Sequence, residues 1–360
     1  MQAYTADKIF TGTGWLHQHA VLTEDGMIKS VAPTSSLPER IDIVNHAVVL
    51  APAFIDLQVY GAGGQLFGAF PTAESLFKLY AHCKDGGTDH FLPTIATNTY
   101  GVIKECIDAV KNYRNEGGKG ILGLHIEGPW INKLKRGAHI EELIHPPTSK
   151  EVRGLLDYGK GVIKMITLAP EVCSREVVEM IRSENIIISA GHSNATYREG
   201  IDAFDDGIPS ATHLFNAMSP FHHRDTGLPG AVMQHPFVMA SIIPDGFHVD
   251  FAAISIARKV MQGRLFIITD AVTETTKGLY PHTYSGEKYV SNGILSGSAL
   301  TMAKGVKNLV EKVGIDLAEA LRMASLYPAR LLGLHDLGKI EPGFRANFVT
   351  LDSNLEVQQN

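Results

Sequence analysis

Apolar residues in the middle of the chain fall in short runs that alternate with longer amphipathic stretches. Eight runs predict strands, at 52–58, 90–96, 121–127, 162–168, 186–192, 210–214, 237–243 and 265–270. The stretches between and after them predict helices, at 73–86, 99–115, 174–184, 196–206, 250–262 and 316–333. Several strands are almost continuously apolar, as expected when helices cover both faces of a sheet. The pattern predicts an α/β protein with a closed (β/α)8 TIM-type barrel, rather than an open doubly wound sheet.

The two ends of the chain have a different pattern. Short strand-like segments alternate with turn residues such as Gly12 and Asp25-Gly26, and Glu341-Pro342-Gly343 separates similar segments near the other end. We therefore expect a small β-sandwich domain built from residues 1–50 and 338–360. The barrel domain would span 51–337.

Charge and composition narrow the class of protein. The 360 residues carry 32 Lys and Arg against 38 Asp and Glu, a formal net charge of −6, which argues against a nucleic-acid partner. No apolar run approaches the roughly 20 residues of a membrane span, and the N-terminal segment does not resemble a secretory signal. Three widely spaced cysteines indicate a reducing compartment. We expect a cytoplasmic protein with no membrane partner.

Four predicted strands end in residues that can bind a metal or transfer a proton: Glu127, His192, His213 and Asp270. The carboxyl ends of barrel strands meet at one mouth, so these residues can share a site. One carboxylate and two imidazoles are a common catalytic zinc set, and a further carboxylate can act as general base. Each residue alone has a structural alternative, such as a hydrogen-bonded histidine or a helix cap. Their coincidence at four strand ends favours a site.

Several motifs extend this interpretation. HIEGPW, GHSNAT, HLFNAM, DGFH, TDA and LSGSALTM occur in this order. Together with PAFIDLQVYGAGG they resemble the N-acetylglucosamine-6-phosphate deacetylase family of the amidohydrolase superfamily, over nearly the whole chain. The resemblance implies metal-dependent hydrolysis of the N-acetyl amide of N-acetylglucosamine-6-phosphate, giving glucosamine-6-phosphate and acetate in amino-sugar catabolism. It also implies a homodimer with one divalent ion per subunit, Zn²⁺ being the first candidate and Fe²⁺ or another ion the alternative.

The resemblance also assigns roles to residues. It implies that Glu127, His192 and His213 bind the metal and that Asp270 is the catalytic aspartate. Positions that contact substrate are Ala138, His139, Asn216, Ala217, Arg224, His248, Leu295, Ser296, Gly297 and Ser298. Among these, Arg224 and His248 match positions that bind the sugar phosphate, partly across a dimer interface.

The first predicted strand departs from the common superfamily pattern. Many amidohydrolases have His-x-His at its end and bind a second metal there, whereas this chain has Gln58-Val59-Tyr60. Neither an amide nor a phenol is a good neutral ligand for a second zinc ion. We therefore expect one metal, and the contacts of Tyr60 stay open at this stage.

Three alternatives remain from the sequence. The enzyme could act on another N-acyl amino-sugar phosphate, such as the galactosamine or mannosamine epimer. A catalytically silent sugar-phosphate binder could keep the same fold, although the intact set of four residues argues against it. A two-metal cyclic amidohydrolase is disfavoured because the first-strand histidines are missing.

Overall fold

The computed structural model describes residues 1–38, 40–291 and 293–358. Strands are numbered β1 to β19 in chain order: Gln2–Phe10, Trp15–Leu16, His19–Glu24, Met27–Pro33, Asp42–Pro52, Phe54–Val59, Gly61–Ala62, Gln65–Leu66, Thr88–Ala96, Leu124–Glu127, Ile163–Leu168, Ile187–Ala190, Ser210–Ala211, Met239–Ile242, Leu265–Ile267, Thr283–Tyr284, Lys288–Ser291, Ile294–Ser298 and Phe348–Leu351. Helices α1 to α10 are Ala73–Asp85, Tyr100–Asn115, Ser149–Tyr158, Arg175–Ser183, Tyr197–Asp205, Gly227–Gln234, Phe251–Met261, Met302–Asn308, Leu317–Ala324 and Leu326–Leu331. A π-helical turn, Leu309–Val313, continues α8.

The eight predicted barrel strands form one parallel sheet. Its strand order is β6-β9-β10-β11-β12-β13-β14-β15, so each strand pairs with the next barrel strand along the chain. The segment after β15 returns to β6, where the Asp270 N–H donates to the Gln58 carbonyl (2.9 Å) and the Tyr60 N–H to the Ala271 carbonyl (2.8 Å). These bonds join the two ends of the sheet. The TIM-type barrel is confirmed.

Every described α-helix except α6 and α10 starts at a side-chain cap, and the helices bury one face. Thr148 and Glu151 form a capping box at the start of α3, and Thr196 and Glu199 form another at α5, which pairs N–H groups that the helix leaves free. The barrel core, which includes these buried helical faces, is continuous. No helix among the described residues is long and apolar enough to cross a membrane.

The two chain ends meet in one six-stranded sheet of order β19-β5-β1-β3-β4, with β2 beside β1. One face holds a small apolar cluster that includes Ile9, Ile28 and Ile340, whereas Phe10 and Val49 belong to the barrel core. The separate sandwich domain and its boundaries stay predictions. Residues 39, 292, 359 and 360 of the predicted domains lie outside the described residues.

Several elements differ from the sequence prediction. The predicted helix at 316–333 is two helices, α9 and α10, which meet at Ser325. Pro328 lacks an N–H and its ring clashes with the carbonyl four residues earlier, which explains the break. Three further helices (α3, α6 and α8) and a three-stranded sheet (β16, β17 and β18) were not predicted.

A buried carboxylate joins the first and last barrel strands. Asp56 Oδ1 accepts the N–H groups of Gln58 (3.1 Å) and Thr269 (3.2 Å), and Oδ2 accepts the Thr269 hydroxyl (2.5 Å). Burial raises the pKa of Asp56 to about 6, against these hydrogen bonds, which lower it. The folded state therefore binds a proton more tightly at Asp56 than the unfolded chain does.

This linkage predicts the pH dependence of stability. The contribution of Asp56 is largest below its unfolded pKa of 3.8 and is lost as pH rises through about 6. The loss is at most about 3 kcal/mol. Asp56→Asn keeps the acceptor for both N–H groups and has no proton to lose, so relative to wild type its stability should rise between pH 4 and 7. Urea unfolding of both proteins in chelator measures this difference, and parallel pH curves would contradict it.

Candidate active site

The four residues predicted from the strand ends meet at the mouth of the barrel. Glu127 is the last residue of β10, and His192, His213 and Asp270 follow β12, β13 and β15 by two or three residues. All four are buried and line one cavity of about 220 Å³. His192, His213 and Asp270 have φ values of 48°, 37° and 52°. Such left-handed backbone is uncommon outside glycine and clusters at functional sites, where it re-aims side chains.

Three of these side chains form a compact triangle of potential ligand atoms. Glu127 Oε1 lies 3.3 Å from His192 Nε2 and 3.2 Å from His213 Nε2, and the two Nε2 atoms are 3.1 Å apart. A tetrahedral zinc ion with bonds of about 2.0–2.1 Å separates its ligand atoms by about 3.3 Å. The triangle therefore has the dimensions of one face of such a coordination tetrahedron.

Hydrogen bonds at Nδ1 of the two imidazole rings indicate which ring nitrogen is free to bind a metal. His192 Nδ1 lies 2.9 Å from the Lys135 carbonyl, which only accepts, so Nδ1 carries the proton and Nε2 of the neutral ring keeps its lone pair. His213 Nδ1 is buried and has no hydrogen-bond partner among the described residues. The donor set thus fits a divalent cation, because a carboxylate and bare imidazole nitrogens at this spacing need a positive charge between them.

The two carboxylates at the site have opposite pKa shifts. Burial acts to raise the pKa of Glu127, but the neighbouring His192, His139 and His213 hold it well below its usual range. Burial raises the pKa of Asp270 well above its usual range, and the charges of Glu127, Asp56 and Asp245 raise it further. A cation beside both groups would favour their charged forms.

Residues of the first strand occupy the side of the site next to Asp270. Gln58 Nε2 lies 2.9 Å from Glu127 Oε1, 2.8 Å from Asp270 Oδ1 and 2.8 Å from the Tyr60 hydroxyl, and that hydroxyl donates to Glu127 Oε2. His139 Nε2 contacts the same Oε2 at 3.1 Å. Hydrogen-bond donors thus fill the place where the common superfamily pattern has first-strand histidines.

His139 is a fourth potential ligand. Glu127, His139 and His192 offer atoms that all lie within 4.8 Å of one another. However, His139 Nδ1 accepts the Thr97 backbone N–H at 3.3 Å, which places the proton of the neutral ring on Nε2. An Nε2–H group donates to Glu127 and cannot bind a metal at the same time. This geometry favours His213 over His139 as the second imidazole.

Most of the predicted substrate positions line the cavity: Ala138, His139, Asn216, Ala217, His248, Leu295, Ser296 and Gly297. Ser298 is fully buried outside this lining, where its N–H donates to the Asp270 carbonyl and its hydroxyl to the Thr269 carbonyl. Arg224 is exposed and also lies outside the described lining of the cavity in its own chain. The predicted substrate positions 295–298 are the last four residues of strand β18.

Sequence reasoning missed other residues of the cavity wall. Tyr280 and His282 line it from the segment that leads into β16; Tyr280 donates to the Thr97 carbonyl (2.5 Å), and burial lowers the pKa of His282 to about 4. Asp245 holds His248 through a 2.6 Å contact between Oδ2 and Nδ1. Only the Asp-Gly-Phe-His run signalled Asp245, and neither Tyr280 nor His282 belongs to a motif.

The fold and site define a barrel hydrolase with a divalent metal centre. Comparison with known proteins agrees: the profile of the amidohydrolase family matches residues 49–360, and that of the NagA composite domain matches residues 1–45. The chain belongs to the amidohydrolase family, and within it to the N-acetylglucosamine-6-phosphate deacetylase family.

Individual relatives cover nearly the full chain. An N-acetylgalactosamine-6-phosphate deacetylase of Escherichia coli O157:H7 is 34% identical over 98% of this chain and 96% of its own. An N-acetylglucosamine-6-phosphate deacetylase of Haemophilus influenzae is 34% identical over 97% of this chain and 94% of its own. The crystal structure of N-acetylglucosamine-6-phosphate deacetylase from Pasteurella multocida superposes with a TM-score of 0.94 at 34% identity, covering 99% of this chain and 96% of that one.

Proposed function

We propose that this protein hydrolyses the N-acetyl amide of N-acetylglucosamine-6-phosphate, releasing acetate and glucosamine-6-phosphate. The observation that carries the proposal is the triangle of Glu127, His192 and His213 beside Asp270 in a buried cavity. The relatives named above support the substrate class. A catalytically silent binder would have no need for the combination of this triangle with Asp270.

One divalent ion, Zn²⁺ first among the candidates, would be held by Glu127 Oε1 and by Nε2 of His192 and His213. When bound, such an ion polarises the acyl oxygen and makes water a better nucleophile near neutral pH. The donors of Gln58 and Tyr60 on the first-strand side support a single ion.

Asp270 is placed to move the proton of the reaction. Its Oδ1 accepts the Gln58 amide at 2.8 Å, which directs the carboxylate toward Glu127 and the triangle. In this role Asp270 takes a proton from the attacking water and returns it to the sugar nitrogen as the amide bond breaks. A departing amine must be protonated, so one carboxylate serves both steps.

Acetate release tests the function directly. Metal-free protein should be inactive on N-acetylglucosamine-6-phosphate, and restoring divalent ions one at a time should recover activity and identify the best ion. Absence of acetate release with every ion would leave the silent-binder alternative. The galactosamine epimer is the second candidate substrate, because the relative that acts on it is as similar as the N-acetylglucosamine-6-phosphate deacetylase of H. influenzae. A comparison of kcat/KM on the two epimers decides between them.

We also propose that the protein is a cytoplasmic homodimer. Its described cysteines are free thiols, which suits a reducing compartment. An apolar surface beside the Arg224 loop includes Phe221, Ile256 and Val260, which are 55%, 59% and 50% exposed. Exposed apolar patches of this kind mark interaction surfaces. The family resemblance implies that Arg224 serves the site of the partner subunit, and the loop that carries Arg224 lies beside this face; His248 lies in the cavity wall of its own chain.

Arg224→Ala should reduce kcat/KM for N-acetylglucosamine-6-phosphate about 10–100-fold. The expected cause is the loss of a charge-assisted hydrogen bond to the phosphate, worth about 1.5–3 kcal/mol. Activity on unphosphorylated N-acetylglucosamine should scarcely change. The matched control is Arg198→Ala, a surface arginine that pairs with Asp202 on α5. Equal losses on both substrates would remove the phosphate assignment.

Mixed dimers test whether Arg224 acts across the interface. A subunit with Arg224→Ala and one with Asp270→Asn should each be impaired alone. If Arg224 serves the partner's site, the mixture regains activity, because one site then combines native Asp270 with native Arg224. A mixture that exchanges subunits but regains no activity would assign Arg224 to its own subunit.

A further inference from the structure

The two oxygens of the Glu127 carboxylate have different neighbours. Oε1 faces Nε2 of His192 and of His213 and accepts the Gln58 amide at 2.9 Å. Oε2 accepts the Tyr60 hydroxyl and contacts His139 Nε2 at 3.1 Å. An ionised carboxylate has about two lone-pair sites on each oxygen. Two donors therefore fill Oε2, whereas Oε1 has one donor, Gln58, and keeps a lone pair on the side of the two imidazoles.

The direction of the His139 contact follows from its other nitrogen. Nδ1 accepts the Thr97 backbone N–H at 3.3 Å, and the Thr97 hydroxyl lies 2.7 Å from the same nitrogen. In the neutral ring the proton then lies on Nε2, so His139 is a donor to Oε2. Tyr60 and His139 thus approach this oxygen with one hydrogen each.

Backbone hydrogen bonds and side-chain packing fix the position of Tyr60. Its N–H donates to the Ala271 carbonyl (2.8 Å) and its carbonyl accepts the Phe67 N–H (2.7 Å), so the backbone is paired on both sides. Tyr60 is 8% exposed and packs in a small cluster with Leu66, Val272 and Tyr280. The hydroxyl therefore has a defined place from which Glu127 can be oriented.

We propose that Tyr60 is a positioning residue that holds Glu127 with Oε1 alone turned to the metal, so that the carboxylate is a one-oxygen ligand. A second carboxylate oxygen on the ion would take a coordination position that the reaction needs for water. Tyr60 keeps Oε2 away from that position. This inference rests on the proposed metal site but is independent of the identity of the substrate.

The test replaces zinc with Co²⁺, whose visible absorption reports the coordination of the ion and does not depend on turnover. Tyr60→Phe removes only the hydroxyl and frees one site on Oε2. We expect weaker and shifted visible bands, because the second carboxylate oxygen can then reach the ion. We also expect an apparent metal Kd about 10–100-fold higher, which is the usual effect of losing a hydrogen bond to a metal ligand.

The matched control is Tyr280→Phe. It also removes a buried phenolic hydrogen bond at this cavity, to the Thr97 carbonyl, but from a hydroxyl that does not bond to Glu127. Its Co²⁺ spectrum and metal Kd should stay as in wild type. A wild-type spectrum and Kd in Tyr60→Phe would overturn the proposal, and so would equal changes in both variants. Absence of acetate release from wild type would contradict the proposed function and leave this measurement valid.

Discussion

Asp270→Asn is expected to lower kcat for acetate release about 10²–10⁴-fold, the contribution typical of a general acid–base group. Asparagine has the same shape and can still accept the Gln58 amide at Oδ1, so the pocket should keep its geometry. It cannot accept a proton from water. Steady-state kinetics give kcat, and metal analysis of the same preparation should show the ion at the wild-type level.

The control for Asp270 is another buried aspartate on a barrel strand. Asp89 is buried and paired with Lys84, but it lies at the start of β9, at the end of the barrel opposite the mouth. Asp89→Asn should keep kcat near wild type even if stability falls. If Asp270→Asn retained kcat within a few-fold, another group would have to move the proton.

His213→Asn is expected to abolish tight metal binding, and activity with it. It removes one corner of the triangle and leaves only Glu127 and His192. The rise in metal Kd should exceed the about 10–100-fold that follows loss of a group which only hydrogen-bonds to a ligand. Competition with a coloured chelator measures the Kd without any assay of turnover.

His139→Asn is the matched variant, because His139 also contacts Glu127 but through a donated hydrogen bond to Oε2. Its metal Kd should rise only within that smaller range. The reverse pattern, with the ion lost from His139→Asn and kept by His213→Asn, would make Glu127, His139 and His192 the ligand set. The two variants therefore decide between the two triads that the geometry brings together.

The grouping of four residues of the candidate metal site could be predicted because barrel topology converts sequence position into spatial position. Glu127, His192, His213 and Asp270 follow strands that are separated by dozens of residues, yet parallel strands in a closed barrel bring their carboxyl ends to one mouth. Recognising the ends of the strands was therefore enough to place the four residues together.

Other parts of the site could not be predicted by the same reasoning. Helix α6 contains Gly227, Pro229 and Gly230, which disfavour a helix in isolation, and it forms because its residues are buried against the barrel. The sheet of β16 to β18 has short, partly exposed strands that carry no clear alternation. Tyr280 and His282 reach the cavity only because the chain folds back over the mouth before this sheet.

The sequence by itself determined the barrel and the convergence of its polar strand ends, because both follow from local periodicity and from the topology that periodicity specifies. The absence of first-strand histidines is read directly from the residues at 58–60. Only the tertiary structure decided which oxygen of Glu127 faces the two imidazoles, that His139 donates rather than binds, and that Tyr60 holds the other oxygen. Those outcomes depend on hydrogen-bond angles, and on differences of a few tenths of an ångström in the distances between residues far apart in the chain. Packing of the whole barrel sets such distances, and no pattern along one strand contains them.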